Sequence, residues 1–596
     1  MAHRFAPLAA AALTAALLGP AAPAPAADPP RRPNVVLIMT DDQGYGDFGA
    51  TGNKVIETPH LDAMAGRGAW MTSFYVCPVC SPTRACLMTG RYNYRTRVLD
   101  TYIGRSMMDP EEVTLAEVLK QAGYATGIFG KWHLGDCYPM RPNDQGFDEA
   151  LVHRGGGLAQ PSEPRENRRR YTDPILFRNG EQVQTRGYCT DVYFGAATEF
   201  IEKTHKAGRN FFVYLPTNAP HGPFHDVPED LYRHYLGKSG ELAALAKGAP
   251  KKAKRGAEVD TLARIAAMIT NVDQNVGRLF EKLDALGVTN DTLVIFLTDN
   301  GPNTARYVGP FRGRKGDVHE GGVRTVLWAH WPARLKAGTR RDEPAAHIDV
   351  MPTVLEACGV PPPKGVKLDG RSFLGLLTGE TESRPERPIV IQSHRGDVPV
   401  RYHHFMIRDG RWKLLHPSGF GRETFEGEPR FELYDLAEDP GETKNLIAEK
   451  PEVAARLKRA YEQWFDDVSN TRPDNYAPPR IHVGTRHENP TVLTRQDWRG
   501  GTWEPNSVGH WKLRVAEAGV YDFRLLFDAG NGEESAVIRI SFPTGGAETG
   551  LNSVPAGSTS CVLRGIELPA GDADLRAVLK RDGKERGVYQ VEVTKR

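Results

Sequence analysis

The sequence predicts an α/β protein followed by two β-rich regions, and three observations lead to this prediction. Helical patterns at 114–122, 191–206 and 260–286 alternate with apolar runs, as in α/β folds. After residue 388 short alternating runs between turn residues take over, which is typical of antiparallel sheets. Four continuous apolar runs have the character of strands buried on both faces of a parallel sheet, at 34–40, 124–130, 211–215 and 292–297.

Length, charge and the N-terminal segment limit the possible classes of protein. A chain of 596 residues exceeds what one hydrophobic core usually serves, and its net charge of +2 gives no reason to expect a nucleic-acid partner. Residues 1–27 combine a basic start, an apolar run and small residues, which predicts a signal peptide and export to the periplasm or outside the cell. No later segment is long enough to predict a membrane span. Seven cysteines are too few for a disulfide scaffold, and their odd number fits one cysteine used in chemistry.

Changes in the pattern of apolar, polar and turn residues along the chain predict the domain boundaries. We expect an α/β domain at 32–384, a small antiparallel subdomain at 385–468 and a separate β-sandwich at 481–596, after a polar linker at 471–479. Strands of the subdomain are predicted at 389–392, 401–407, 412–416 and 431–435, and a helix at 451–464. Sandwich strands are predicted at 511–515, 520–527, 536–542 and 588–594. Trp498, Trp503 and Trp511 are candidate platforms for sugar rings, although packing in the core is the commoner fate of tryptophan.

Polar side chains follow each of the four predicted strands, where that strand ends. Ligands of open α/β sheets bind beyond the carboxyl ends of the strands, so these side chains are expected to meet in one crevice. Two adjacent carboxylates repel each other unless a cation lies between them, which favours a metal site, the alternative being a capping pair at a solvated turn. The residues are Asp41 and Asp42, then Lys131 and His133, then His221, and finally Asp299 and Asn300.

The segment 44–49 matches G-x-G-x-x-G after a strand, so a dinucleotide-binding turn must be considered. The two preceding carboxylates would repel a pyrophosphate. Asp62, which lies near the offset expected for a ribose-binding acid, falls at a predicted helix start that is preceded by Thr58 and Pro59. The sequence therefore disfavours the dinucleotide alternative.

The run Cys80-Ser-Pro-Thr-Arg84, followed by Ala-Cys-Leu-Met-Thr-Gly-Arg-Tyr, resembles the sulfatase signature Cys-x-Pro-Ser/Thr-Arg and its sequel. A redox or zinc pair of Cys77 and Cys80 is the alternative, but neither a second ligand pair nor a thioredoxin-like context accompanies it. Further blocks that resemble the family are 41–47, 130–135, 315–324 and 433–446. The resemblance covers about 33–465 and implies an alkaline-phosphatase-like large mixed sheet flanked by helices.

The resemblance also implies a mechanism. The family converts the cysteine at position 80 to formylglycine through a maturation enzyme, and the hydrated aldehyde is the nucleophile. It places calcium, or as second choice magnesium, on Asp41, Asp42, Asp299, Asn300 and the modified residue 80. The resemblance implies that Lys131, Lys315 and His221 clamp the sulfuryl oxygens and that His221 or Lys315 protonates the leaving alcohol. It further implies that His133 deprotonates the second hydroxyl and that Arg84 holds residue 80.

Two rival functions remain open on the sequence. A phosphodiesterase or phosphonate monoester hydrolase would use the same nucleophile. A non-catalytic sugar-binding protein with a degenerate sulfatase domain belongs to another class, and is disfavoured because all ten expected site positions are filled. The partner is expected to be a sulfated small molecule or polysaccharide. The charge runs at 165–170 and 247–255 are either solvated insertions or attract such a polyanion.

Overall fold

A computed structural model describes residues 1–2, 32–247, 259–472, 474 and 476–596. Apart from their first residues, the predicted signal peptide and the charge run at 247–255 lie outside these ranges. The unit Arg32–Arg596 is described below. Within the described residues, no helix has the length and apolar character needed to cross a membrane.

Eleven strands form one large mixed sheet, which confirms the predicted fold class. Its strands are β1 (Asn34–Thr40), β2 (Ala69–Tyr75), β3 (Ala125–Lys131), β4 (Glu149–His153), β5 (Ile175–Arg178), β6 (Glu181–Gln184), β7 (Phe211–Pro216), β8 (Thr292–Thr298), β9 (Arg324–His330), β10 (Thr339–Arg341) and β11 (Ala345–Ala346). Their spatial order is β10-β2-β9-β8-β1-β7-β3-β4-β5-β6, with β11 paired to β2. The five central strands β8-β1-β7-β3-β4 are parallel, and antiparallel strands flank them on both sides. The four predicted parallel strands are confirmed to within one residue at each end.

Helices cover both faces of this sheet. The α-helices of the described residues are α1 (Pro59–Arg67), α2 (Cys80–Thr89), α3 (Leu115–Gln121), α4 (Cys189–Lys206), α5 (Glu229–Leu236), α6 (Ser239–Lys247), α7 (Val259–Ala285), α8 (Glu320–Val323), α9 (Val350–Ala357), α10 (Leu374–Thr378) and α11 (Pro451–Ser469). Side chains of β1 alternate between the two layers: Val35 and Leu37 belong to one hydrophobic cluster, and Val36 and Ile38 to the other. Burial on both faces explains why this strand is apolar throughout.

The predicted antiparallel subdomain is a four-stranded sheet, closed by α11. Its strands, in spatial order, are β12 (Ile389–Gln392), β13 (Phe405–Asp409), β14 (Trp412–His416) and β15 (Glu432–Asp435). The strand predicted at 401–407 begins four residues and ends two residues before the observed strand. Tyr402 and His404 have φ angles of 63° and 46°, which a strand does not accommodate.

A buried ion triad joins this subdomain to the α/β body. Lys413 of β14 is fully buried, and its Nζ lies 2.9 Å from Glu320 Oε1 and 2.8 Å from Glu442 Oε1. Glu320 begins α8, five residues after Lys315. The triad therefore fixes the segment that carries Lys315.

Replacing Lys413 with methionine is expected to lower the free energy of unfolding by about 3–5 kcal/mol, because Glu442 stays buried without its countercharge and Glu320 keeps only its ion pair with Arg324. Denaturant titration measures this loss. Lys458→Met is the matched control, since the Lys458 side chain is 44% exposed on α11 and should change stability by less than about 0.5 kcal/mol. A loss below about 1 kcal/mol for Lys413→Met would contradict a stabilising triad.

The C-terminal region consists of two further sheets around one hydrophobic core. The strands are β16 (Ile481–Val483), β17 (Thr491–Thr494), β18 (Trp511–Val515), β19 (Gly519–Leu526), β20 (Glu534–Phe542), β21 (Gly545–Val554), β22 (Ser560–Leu568), β23 (Gly571–Arg581), β24 (Lys584–Gly587) and β25 (Gln590–Lys595). The six-stranded sheet has the order β16-β18-β23-β20-β21, with β24 paired to β23. The four-stranded sheet has the order β17-β25-β19-β22. Most pairs are antiparallel, as predicted, but β16 and β18 are parallel.

Trp498 and Trp511 are fully buried in this core with ring centroids 5.7 Å apart, so core packing is confirmed for both. The same cluster includes Ile103, Met107 and Cys137 of the α/β body. The C-terminal sheets therefore share apolar packing with the body that holds the predicted site.

Candidate active site

The carboxylates at the ends of β1 and β8 lie side by side. Thr40 pairs with Thr298 in parallel register, so the residues that follow emerge together at the carboxyl edge of the sheet. The Asp42 main-chain N–H donates to Asp299 Oδ1 at 3.1 Å, and Asn300 Nδ2 donates to Asp42 Oδ1 at 2.8 Å. Asp42 has a φ of 60°, an uncommon angle for a non-glycine residue that these contacts hold in place.

Two lysine side chains face these carboxylates. Lys131 contacts Asp41, and Lys315 Nζ lies 2.5 Å from Asp42 Oδ1. Burial raises the pKa of Asp41, but Lys131 and the neighbouring cations outweigh it and hold the pKa well below its usual range. Burial and repulsion from Asp41 instead raise the pKa of Asp299 to about 7. The cluster thus holds a tight group of opposite charges out of water.

Arg84 connects the carboxylates to the end of strand β3. Its Nη2 donates to Asp41 Oδ2 at 2.9 Å and to Asp299 Oδ2 at 3.2 Å, and its Nη1 donates to the Lys131 carbonyl at 2.8 Å. These bonds orient two predicted metal ligands and a predicted anion-binding residue. The hydrogen bonds of this guanidinium thus go to those groups and not to Cys80.

The oxygen atoms of this cluster fit a hard cation. Asp41 Oδ1, Asp42 Oδ2 and Asn300 Oδ1 are buried and have no hydrogen-bond partner among the described residues. Unpaired buried carboxylate oxygens are costly, and carboxylate and amide oxygens are the ligands that Ca²⁺ and Mg²⁺ prefer. Ligand atoms of Asp41, Asp42 and His221 lie within 4.8 Å of one another. Asp41, Asp42, Asp299 and Asn300 would therefore hold a divalent ion, with His221 beside it.

Cys80 begins helix α2, which ends at Gly90 in the left-handed conformation (φ 66°). Thr83 Oγ1 donates to the Asp299 carbonyl at 2.8 Å and so attaches the first turn of the helix to the carboxylate cluster. Cys80 is 3% exposed, and its Sγ lies 3.5 Å from His133 Nδ1. Burial raises the pKa of the Cys80 thiol, although Lys131 opposes this shift.

Two histidines each direct a ring nitrogen toward the site. His133 Nε2 lies 2.8 Å from the Thr101 carbonyl, which requires the proton on Nε2 and leaves Nδ1 free toward Cys80. Burial and the charge of Lys131 lower the pKa of His133 well below its usual value, so the ring is neutral. His221 Nδ1 bonds the Gly222 carbonyl at 2.7 Å, and its Nε2 lies 3.8 Å from Asp42 Oδ2. His133 therefore offers an unprotonated nitrogen to residue 80, and His221 directs Nε2 toward the Asp42 carboxylate.

The structure brings all ten predicted site positions into one crevice. They come from strand ends, from the start of α2, and from loops after β3, β7 and β8. Sequence reasoning missed the Thr101 carbonyl that sets the His133 tautomer, and the main chain at Gly156, where a Cβ would lie 2.4 Å from His133 Cε1. Neither contact has a side-chain pattern that would reveal it.

The neighbouring motifs have structural partners. A Cβ on Gly46 would lie 2.5 Å from the Tyr307 carbonyl oxygen, so packing against this segment requires that glycine of G-x-G-x-x-G. Cys77 does not pair with Cys80: its Sγ lies 3.2 Å from His347 Nε2, and Cys86 lies beside both. Burial raises the pKa of the Cys77 thiol, but contacts with Cys86 and His347 outweigh burial and lower this pKa to about 6.

Comparison with known proteins agrees with this geometry. Residues 33–360 match the family model Sulfatase, and 314–466 match the model N-sulphoglucosamine sulphohydrolase, C-terminal. The chain is 32% identical to N-acetylgalactosamine-6-sulfatase of Canis lupus familiaris, covering 73% of this chain and 85% of that protein. It is 32% identical to arylsulfatase A of Homo sapiens, covering 72% and 87%.

Among solved structures, that of Ps i-CgsB in complex with k-i-k-neocarrahexaose superposes with a TM-score of 0.62. Its sequence is 26% identical to this chain, and 75% of this chain and 95% of that one are covered. The two family models together cover the α/β body and the antiparallel subdomain. The chain therefore belongs to the sulfatase family of the alkaline-phosphatase-like superfamily and is a sulfuric ester hydrolase.

Proposed function

We propose that this protein is an exported sulfatase that hydrolyses sulfate esters of a sulfated carbohydrate, using formylglycine made from Cys80 and a bound calcium ion. One observation carries the proposal: Cys80 lies between a neutral histidine and a cluster of buried oxygens that lack partners. Relatives named for N-acetylgalactosamine 6-sulfate chemistry, and one solved with a neocarrahexaose, support a carbohydrate substrate.

The two bound or modified groups supply chemistry that the unmodified chain lacks. Calcium on Asp41, Asp42, Asp299 and Asn300 would add positive charge where the sulfuryl oxygens bind, and a formylglycine hydrate would offer a hydroxyl for attack and a second one for release. Magnesium is the second choice of ion. An oxygen on residue 80 is also the harder donor, since a thiol is a poor ligand for such a cation.

Charged side chains of the crevice bind the anion. Lys131 and Lys315 already lie at the carboxylates, so their charge is in place before the substrate arrives. Arg84 keeps Asp41 and Asp299 in position, and we assign to it the further role of holding the oxygens of modified residue 80. In a site closed to water such fixed charges stabilise developing negative charge more strongly than they would in solvent.

Proton transfers are assigned to the two histidines. His133 Nδ1, which is unprotonated and 3.5 Å from the side chain at position 80, would accept the proton whose removal lets sulfate leave. His221 Nε2 or Lys315 Nζ lies on the Asp42 side of the crevice and would donate a proton to the departing alcohol. Asp299 is the candidate base for the first attack, because its carboxylate lies in the same buried cluster and its main chain is bonded to the first turn of the helix that begins with residue 80.

Paired esters distinguish this function from its nearest rival. The purified protein is expected to show a kcat/KM for an aryl sulfate that exceeds those for the matching phosphate diester and phosphonate monoester by at least about tenfold. Preference for either phosphorus ester would assign the site to phosphodiester or phosphonate hydrolysis. If no ester is cleaved although residue 80 carries the aldehyde, the non-catalytic alternative gains support.

The remaining sequence-based expectations form part of the same proposal. We assign the boundaries 32–384, 385–468 and 481–596 to a catalytic domain, its antiparallel subdomain and an accessory β-sandwich. Residues 1–27 would direct export, and a formylglycine-generating enzyme would act on Cys80 before the chain folds, because Cys80 is buried in the folded protein.

A further inference from the structure

A second pocket lies beside the active site, between the loop at 155–170 and the C-terminal sheets. Its volume is about 410 Å³, within the range of small-molecule sites. Four arginines and two aromatic side chains dominate its wall: Arg165, Arg168, Arg169, Arg495, Trp503 and Tyr589. We call it the arginine pocket.

Two arginines of the loop are free to bind an anion. Arg168 and Arg169 are exposed and form no ion pair within the part of the chain that the structure describes. Their φ angles are 46° and 61°, so two successive non-glycine residues keep an uncommon backbone conformation. The buried Asn167 stabilises this turn, because its side chain bonds both the N–H and the carbonyl of Ile175.

The remaining charges of the wall leave a positive excess. Arg165 pairs with Asp528 at 2.5 Å, which neutralises both. Arg495 is only 6% exposed and donates to the carbonyls of residues 504, 587 and 588, but within the described chain it has no carboxylate at ion-pair distance. Glu163, the other acid of the wall, is buried, and burial and Asp136 raise its pKa well above the usual value. Three cations therefore face the pocket without countercharge.

The aromatic side chains suit a sugar ring. Trp503 is half-buried, and the accessible part of its side chain is apolar ring, because its Nε1–H is buried. Tyr589 lies under the Arg165 guanidinium, 4.3 Å from it. Rings that carry a polar group provide apolar contact together with a hydrogen bond, while guanidinium groups bind tetrahedral oxyanions with paired donors.

The loop connects this pocket to the catalytic histidines. Gly156 packs on His133, and a Cβ on Gly157 would lie 3.4 Å from His221 Nδ1. Gln160, which lines the pocket, closes a turn to the Gly157 carbonyl at 3.0 Å. Three residues span at most about 11 Å of extended chain, and the turn shortens this distance.

A second connection runs through the C-terminal region. Trp503 packs edge-on against Tyr102, with ring centroids 5.3 Å apart. Tyr102 follows Thr101, whose carbonyl binds His133. One chain of contacts thus leads from the His133 imidazole to the pocket wall, and the C-terminal region contributes part of that wall.

We propose that the arginine pocket is a subsite for a further sulfated residue of an oligosaccharide whose reacting sulfate ester lies at Cys80. The proposal rests on the proposed function for the chemistry of the substrate. Arg168, Arg169 and Arg495 bind the sulfate group of the neighbouring sugar, and Trp503 contacts its ring. The enzyme is accordingly more efficient on sulfated oligosaccharides than on a small aryl sulfate.

The double variant Arg168→Ala/Arg169→Ala tests this assignment. In a Cys80→Ala background, which cannot turn the ester over, calorimetry with sulfated oligosaccharides of increasing length should show roughly tenfold weaker binding of the longer ones, and a smaller loss at high salt. In the native background, kcat/KM for an aryl sulfate should not change. Arg170→Ala is the control, because it removes one positive charge from the same loop at a residue that does not line the pocket, and each single variant, Arg168→Ala or Arg169→Ala, is compared with it.

Several results would overturn the subsite. These are unchanged oligosaccharide binding by the double variant, an equal loss for Arg170→Ala, equal binding of the desulfated oligosaccharide, or tighter binding of single-stranded DNA of the same charge. Failure of the proposed function looks different: the native protein would release no sulfate from any ester, while the binding data would still report on the pocket.

Discussion

Replacing Cys80 with alanine is expected to abolish sulfate release, by a factor on the order of 10⁵ or more, because it removes the nucleophile. Cys80→Ser should be slow and should stall as a sulfate ester, since serine has no second hydroxyl for release. Mass spectrometry of the native peptide should show an aldehyde at position 80, and of the serine variant a retained sulfate.

Cys561→Ala is the control for the Cys80 variants, because it removes a half-buried thiol from the C-terminal sheets, away from the crevice. Its activity should equal that of the native protein. Full activity from protein whose residue 80 is still a free thiol would refute the formylglycine mechanism.

Removal of calcium should also abolish activity, and its return should restore it. The ion is expected to stabilise the fold as well, by about 2.7 kcal/mol at a concentration of one hundred times Kd, because it binds the native carboxylate cluster and not the unfolded chain. Asp42→Asn keeps the shape of a ligand but removes its charge, so calcium should raise the melting temperature of this variant far less. Thermal unfolding with and without calcium measures the difference independently of turnover.

Asp435→Asn is the matched control for the metal variant. Asp435 is another buried carboxylate, but it is paired with Arg411 in the antiparallel subdomain. Its variant should respond to calcium as the native protein does. An equal rise in melting temperature for Asp42→Asn, or full activity after chelation, would show that the cluster does not hold the ion.

Local sequence patterns predicted the parts of the fold whose causes are local. The apolar run at 34–40 predicted β1 because both faces of that strand are buried. The antiparallel strands β2 and β9 were not predicted, since Thr72 and Ser73 interrupt the apolar run of the first. A strand forms there because β9 pairs with it, and such pairing between distant segments leaves little trace in either segment alone.

The contacts of the candidate site also divide into those that local sequence patterns predict and those that depend on packing between distant segments. Asp41, Asp42 and Asp299 could be grouped from sequence, because parallel strands bring their carboxyl ends to one edge. The contact of Cys77 with His347 spans 270 positions, and the wall formed by Trp503 depends on packing between distant regions. No spacing rule predicts contacts of this kind.

The triad of Glu320, Lys413 and Glu442 sets a lower limit on the length of a working catalyst. A gene fragment that stops at the predicted boundary of 384 would still encode every predicted ligand of the metal and the sulfate. It would lack Lys413 and Glu442, however, so Glu320, five residues from Lys315, would keep Arg324 as an ion-pair partner but lose the contacts that bury and fix it. The smallest autonomous enzyme therefore extends at least to Glu442, and any shuffling of this region between relatives must exchange all three residues together.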